Sequence, residues 1–380
     1  MSKVKNKSHK SLLFVAISIL LSFLFIKLFD HALGFTLSST ASSFSNNRYV
    51  NLREHNPNSK IFPPLSVCSV LNLDKPVGIH SNSKGFLESN HVLSEGLNYK
   101  KIIFFGGSTT ENMCINNHNR FPALVGASLA NDLDLNLTVL NAGVSGNNSI
   151  HSLISLQAKS ITENPDLIFF MHAINDLSIL LKSGSYWDQP NTRDLIIVDS
   201  SRRKISELVK EFINLIIPNF RQLLIEISAE KITNHDEFKD YRDQIKLSQQ
   251  DLKKIQNDFK ASVSSFIGIS KAWNLNIIMM TQPNQFYIGN KELEKTYYSK
   301  PQPINYEEFV KLLKSLNEII IEVSQDFNVA FIDLEKIIPK SNLFFYDSIH
   351  LNDYGNKEVA NIISTYLIEN KSLILEQLNE

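Results

Sequence analysis

The segment Lys101-Ile-Ile-Phe-Phe-Gly-Gly-Ser-Thr-Thr-Glu111 constrains this chain more than any other. Its apolar half is short and rich in Ile and Phe, the signature of a strand buried on both faces. Two glycines, Ser108 and a polar stretch suited to open a helix follow. A hydroxyl is thereby held at the carboxyl end of a strand, where open α/β sheets place their ligands. The same rhythm recurs downstream. Residues 101–105, 137–141, 167–172, 275–280 and 329–334 read as strands, and 120–133, 149–160 and 356–379 as helices. Five strands alternating with helices predict an α/β fold with a parallel sheet covered on both faces by right-handed crossovers.

One interval breaks the rhythm. From Asp176 to Leu275 the chain runs roughly a hundred residues, far more than one crossover requires. Residues 201–227 and 236–272 have helical apolar spacing, so a helical insertion at about 183–272, between strands three and four, is expected as a cap or hairpin beside the active-site edge, or as a solvated excursion. Ahead of the sheet, residues 48–98 are irregular and punctuated by Pro57, Pro63, Pro64 and Pro76. They read as an extended lead-in packed along a main domain of residues 99–380. Arg53, Glu54, His55 and His80 occur there, with no spacing that argues for a site.

The amino terminus has a character of its own. Residues 1–10 carry Lys3, Lys5, Lys7 and Lys10 and no acid, and residues 11–29 are largely apolar. A bilayer span takes roughly 17–25 apolar residues, a length reached here if Lys27 snorkels to the interface. The basic tail would stay cytoplasmic and send the rest across the membrane, with residues 30–47 as a Ser- and Asn-rich tether. A cleaved signal peptide is the competitor. Its small-residue cleavage site is poorly represented, Thr40-Ala-Ser42 being a weak match, so a retained transmembrane anchor is the expectation. Either reading puts the globular part outside the cytoplasm.

With 38 basic against 39 acidic residues, the charge pattern carries no nucleic-acid footprint. The Gly-Gly-Ser turn lacks the lysine of a phosphate loop, and the histidines show no paired-ligand spacing, so no cofactor or metal is implied. Cys68 and Cys114 also lack metal spacing. A disulfide between them would need an oxidising compartment; two unpaired, mostly buried thiols are the reading preferred.

Near the far end of the chain, Asp347-Ser-Ile-His350 supplies a base and an orienting carboxylate. Together with Ser108 these are the three parts of serine-based acyl transfer. Four blocks occur in order, namely Phe105-Gly-Gly-Ser-Thr109, Gly143-Val-Ser-Gly146, Ala173-Ile-Asn-Asp176 and Asp347-Ser-Ile-His350. In this the chain resembles the SGNH (GDSL-like) hydrolases, serine esterases and related acyl-transfer enzymes on a flavodoxin-like three-layer sandwich. The resemblance covers residues from Lys101 to the C-terminus outside the long insertion. Residues 48–54 more loosely resemble the lead-in of membrane-anchored members. It implies Ser108 as nucleophile, His350 as general base and Asp347 as its orienter. It further implies an oxyanion hole from the backbone N–H groups of Ser108 and Gly146 and the side-chain amide of Asn175.

The chain departs from the family pattern at Ala173, where glycine is usual, and in reading Gly-Gly-Ser for Gly-Asp-Ser. Each residue also has a structural alternative. Ser108, Asn175 and Asp176 are good helix caps, Gly143 and Gly146 are natural turn residues, Asp347 and His350 could be turn and surface residues, and His172 fits packing. Phe286, Tyr287, Tyr297 and Tyr298 either line a sugar or acyl site or simply pack. The expectation is a membrane-anchored extracytoplasmic esterase acting on a small acyl ester or acylated glycan, with O-acetyl groups favoured by analogy. An O-acyltransferase on the same machinery and an inactive tethered binding protein are the alternatives.

Overall fold

Why the central strands read as unbroken apolar runs is plain in the computed structural model, which describes residues 17, 18, 21, 22, 52–63, 68, 71, 77–88, 99–133, 136–187 and 247–372. Two units are distinguished, residues 1–50 and 51–380. In the first, Ile17, Ser18, Leu21 and Ser22 are helical. The expected anchor at 11–29 otherwise lies outside the described residues, as does the expected helix at 201–227. Among the described residues no helix is long and apolar enough to cross a membrane.

The second unit opens with three two-residue strands, β1 (Lys60–Ile61), β2 (Ile79–His80) and β3 (Leu87–Glu88). Then come β4 (Tyr99–Gly106), α1 (Ser108–Glu111), α2 (Phe121–Asp132), β5 (Asn136–Asn141), α3 (Ser149–Ala158), β6 (Leu167–Met171) and α4 (Ile174–Ser183). The remainder is α5 (Gln249–Ala272), β7 (Asn276–Met280), α6 (Lys291–Tyr297), α7 (Tyr306–Asp326), β8 (Ala330–Ile332), α8 (Leu334–Ile337) and α9 (Asp353–Glu369).

β5-β4-β6-β7-β8 form the five parallel strands expected, in the order of a flavodoxin-like sheet. A sixth strand corrects the count. β3 joins the β5 edge antiparallel, pairing Leu87 with Asn141 and Glu88 with Leu140. Two residues are too short to show a strand pattern, so the lead-in's contribution was invisible in sequence.

Successive residues of a strand face opposite sides. Ile103, Phe105, Ile168, Phe170, Ile277 and Met279 therefore pack on one face, against α3, α4, α5 and α7. Ile102, Phe104, Phe169, Ile278 and Met280 pack on the other, against α2 and α9. Phe104 and Phe169 stack with centroids 4.4 Å apart across β4 and β6. Each such buried side chain contributes about 1.5–3 kcal/mol, which favours a sheet sealed on both faces.

α5 belongs to this sandwich rather than standing over the active-site edge. Ile255, Phe259, Val263, Phe266 and Ile267 are buried at helical spacing, and Phe266 meets Phe105 and Phe170 on the sheet. α9 starts earlier than residue 356, because Asn352 caps it by accepting from Gly355 N. β8 is shorter than expected because Leu334 already begins α8.

Candidate active site

β4 and β6 flank the point at which strand order reverses, and their carboxyl ends open the crevice where such sheets bind ligands. Ser108 begins α1 at the end of β4, and Asn175 lies in the first turn of α4 after β6. Gly107 makes their approach feasible. A Cβ there would sit 2.4 Å from Asn175 Nδ2 and 3.0 Å from the Asn147 carbonyl.

The turn after Phe345 brings the far end of the chain to Ser108. His350 Nε2 lies 2.8 Å from Ser108 Oγ, across 242 residues of sequence. His350 Nδ1 lies 2.6 Å from Asp347 Oδ2. Asp347 Oδ1 accepts from the amides of Ile349 at 2.9 Å and His350 at 2.8 Å, so the carboxylate both shapes its turn and holds the ring. Burial alone would raise the Asp347 carboxyl, but the His350 side chain and these two amides outweigh it and hold it below the usual carboxylate range. Tyr346 stacks on the His350 ring, with centroids 5.4 Å apart.

The β5 loop forms the opposite wall. Gly146 adopts φ +78°, a conformation glycine takes without strain, and Asn147 N closes the turn on Val144 O at 2.9 Å. The Asn147 carbonyl accepts from Asn175 Nδ2 at 2.8 Å. Ser108, His350, Asp347 and Asn175 thus converge, with the Gly146 turn placed against Asn175 through Asn147. Ala173, where the family pattern has glycine, is fully buried in the core beneath.

Several contributors were not singled out in sequence. Arg53 Nη1 donates to Asn147 Oδ1 at 2.9 Å, and Asn147 Nδ2 returns a bond to the Arg53 carbonyl at 3.0 Å. His55 Nε2 lies 3.0 Å from Glu111 Oε1, and the Glu111 carboxylate also accepts from Ser145 Oγ. The lead-in, in which no spacing argues for a site, therefore braces the β5 loop and the end of α1. Gln282 accepts from Ile174 N at 2.9 Å and donates to Thr109 Oγ1 at 2.8 Å, joining the neighbours of Asn175 and Ser108. Gln285 donates from N to Ser348 O and from Nε2 to Asp347 O, both at 2.8 Å. A side chain's hydrogen-bonding capacity is legible in sequence, but these destinations are not.

Cys68 and Cys114 form a disulfide, with Cα atoms 5.5 Å apart, which corrects the reading of two unpaired thiols. The lead-in returns onto the loop after α1, a meeting that spacing alone does not reveal. His172 and Asp176 are packed residues beneath the site. Burial depresses the His172 ring to about 3, and its Nε2 lies 2.7 Å from Ser152 Oγ. Burial pushes Asp176 up to about 6, where it accepts from Ser149 N at 3.0 Å and Tyr186 OH at 2.7 Å. Among the described residues no group of three or more His, Cys, Asp or Glu side chains is placed to hold a metal ion.

A family model described as GDSL-like Lipase/Acylhydrolase matches residues 102–363. Similar solved structures include an acetyl xylan esterase at 16% identity and TM-score 0.42, covering 70% of this chain and 99% of that one. A lipase/acylhydrolase from Enterococcus faecalis is similar at 15% identity and TM-score 0.41, with 71% and 96% covered. An acetylxylan esterase from Geobacillus stearothermophilus follows at 13% and 0.40, with 73% and 95% covered. Comparison with curated proteins yields no match.

Proposed function

The chain belongs to the GDSL-like lipase/acylhydrolase family of ester-hydrolysing enzymes, and we propose that Ser108, His350 and Asp347 are its catalytic triad. The observation that carries this is the continuous relay from hydroxyl to imidazole to carboxylate, at 2.8 and 2.6 Å. Ser108 Oγ attacks the acyl carbonyl carbon while its proton passes to His350 Nε2, an exchange a serine hydroxyl needs to become nucleophilic. Negative charge develops on the carbonyl oxygen, to which the N–H groups of Ser108 and Gly146 and the second N–H of the Asn175 amide donate hydrogen bonds. His350 then gives its proton to the leaving alkoxide as the carbon–oxygen bond breaks. Water repeats the sequence on the acyl-serine and releases the acid.

The substrate we assign is a small acyl ester, O-acetyl on a surface glycan being the form favoured. We place the enzyme outside the cytoplasm, anchored through residues 11–29. The lysines ahead of that segment support this orientation, and so does the Cys68–Cys114 bridge, a linkage that persists in oxidising compartments. The test is hydrolysis of a short-chain aryl acetate by the full-length protein, together with labelling by a fluorophosphonate. Ser108→Ala is expected to lose both while melting as the parent does. A folded parent that neither hydrolyses nor labels would end the proposal.

A further inference from the structure

Resting on the serine-esterase reading, we propose that the cavity beside the Asp347 turn is the alcohol-side subsite, built for a neutral sugar residue or short oligosaccharide. Reaction geometry says on which side the alcohol must lie. The carbonyl oxygen faces Asn175 and the Gly146 turn, while the leaving oxygen must reach His350 Nε2 to collect a proton. Whatever is attached to that oxygen therefore extends toward the turn that carries His350.

A cavity of about 920 Å³ borders that turn at Tyr346, Asp347 and Ser348, stopping short of Ser108 and His350. This falls within the size of small-molecule sites and leaves room for more than one sugar ring. Its far wall comes from the segment after β7 and the loop before the Asp347 turn, including Tyr287, Asn290, Thr296, Lys340 and Asn342. Amides and hydroxyls of this kind suit a polyhydroxylated ligand, and Leu71, Leu293 and Phe345 beside them offer apolar contact for the faces of its rings.

The four aromatics after β7 divide cleanly. Phe286, Tyr297 and Tyr298 pack in one cluster with Tyr306 and Phe309. Tyr287 is 45% exposed and lines the cavity, where its ring can cover the apolar face of a sugar. Charge selects further. Lys340 is held by Glu335 at 2.6 Å, and the other charged residues described in the lining, Glu292 and Asp347, are acids. Among the described lining residues an anionic sugar would meet no uncommitted cation, so neutral glycans are favoured. The walls are preset. Gln285 ties Asp347 and Ser348, and Asn352 Nδ2 donates to Leu343 O at 3.0 Å. Such preorganisation lowers the entropic cost of binding.

The experiment compares kcat/KM of the full-length protein for phenyl acetate with that for chemically acetylated oligosaccharides, neutral (gluco-, manno-, xylo-) and uronate-containing. Tyr287→Ala removes the platform; Thr296→Arg obstructs the cavity from an exposed helix position. In both variants the ratio for the best neutral oligosaccharide over phenyl acetate is expected to fall about tenfold, the equivalent of one good contact. Fluorophosphonate labelling of Ser108 verifies that each variant keeps an assembled site. The inference is overturned if the ratio is unchanged in both labelled variants, or if uronate-containing substrates are preferred. In either case phenyl acetate turnover would leave the esterase reading standing. A parent inert to every ester and to the label would instead remove that reading, and the subsite with it.

Discussion

The Asn147 backbone carbonyl accepts a hydrogen bond from the Asn175 side-chain amide at 2.8 Å, so the orientation of one proposed oxyanion donor is set by the neighbouring loop. Asn147 in turn is gripped by Arg53 from the lead-in, through side chain and carbonyl together. Misplacing a reacting group by about 1 Å can cost 10²-fold in rate. Arg53→Ala is expected to lower kcat on an aryl acetate by roughly 10–100-fold, with a smaller change in KM, and Arg53→Lys to recover part of the loss. If Arg53 acts through Asn175, its removal should cost little further in an Asn175→Ala background. Strictly additive losses would show that Arg53 matters for something other than the amide.

Asp347 is held ionised by His350 and by the amides of Ile349 and His350, with its folded-state pKa below the usual value. The stabilisation it supplies is therefore complete at neutral pH and is lost as pH falls through the acid range. Asp347→Asn removes that charge and can present its amide to the wrong imidazole nitrogen. A fall in kcat of about 10³–10⁴ is expected, the scale seen when a triad carboxylate becomes an amide. Steady-state kinetics read the loss, and thermal melts at pH 4 and 7 read the stability. A variant retaining most of its turnover would remove Asp347 from the triad.

Legibility in the sequence tracked locality. β4, β6 and β7 were readable because burial on both faces writes an unbroken apolar run into a few adjacent residues. Ser108, Asn175, Asp347 and His350 were nameable because each sits in a short block at a strand end or before the last helix. Arg53 on Asn147, Gln285 on the Asp347 turn, Cys68 on Cys114 and the pairing of β3 depend on where distant segments meet. No spacing records such a meeting. α5 was misplaced for a related reason, since its apolar stripe shows that it packs but not on which surface.

The Cys68–Cys114 bridge closes a loop across a sequence separation of 46 and fastens the lead-in beside α1. Restricting the unfolded chain over such a loop is worth about 4 kcal/mol in the chain-entropy model, and measured bridges typically give 2–4. Reduction, or the double replacement Cys68→Ser with Cys114→Ser, is expected to lower the melting temperature by several degrees. Parallel melts with and without reductant measure this. Reductant should have no effect on the double variant. An unchanged melting temperature in the reduced parent would show that the non-covalent contacts of the lead-in, among them Arg53, Glu54, Phe86 and β3, hold it without the bridge.

Asp176 provides a pH dependence of opposite sign to that of Asp347. Burial raises it from 3.8 to about 6 in the fold, whereas the unfolded chain releases the same proton near pH 4. Between those values the folded state binds more protons, so stability falls as pH rises from about 4 to about 6 and then levels off. A shift of this size corresponds to ~3 kcal/mol as an order of magnitude. Asp176→Asn removes the titration while keeping an acceptor for Ser149 and Tyr186. Because other carboxylates titrate with the opposite sign, the informative quantity is the stability of the parent minus that of the variant, from urea denaturation at each pH. That difference should decline across pH 4–6 and stay flat above it. A flat difference throughout would mean that Asp176 is already ionised in the acid range, its charge carried by the Ser149 and Tyr186 hydrogen bonds.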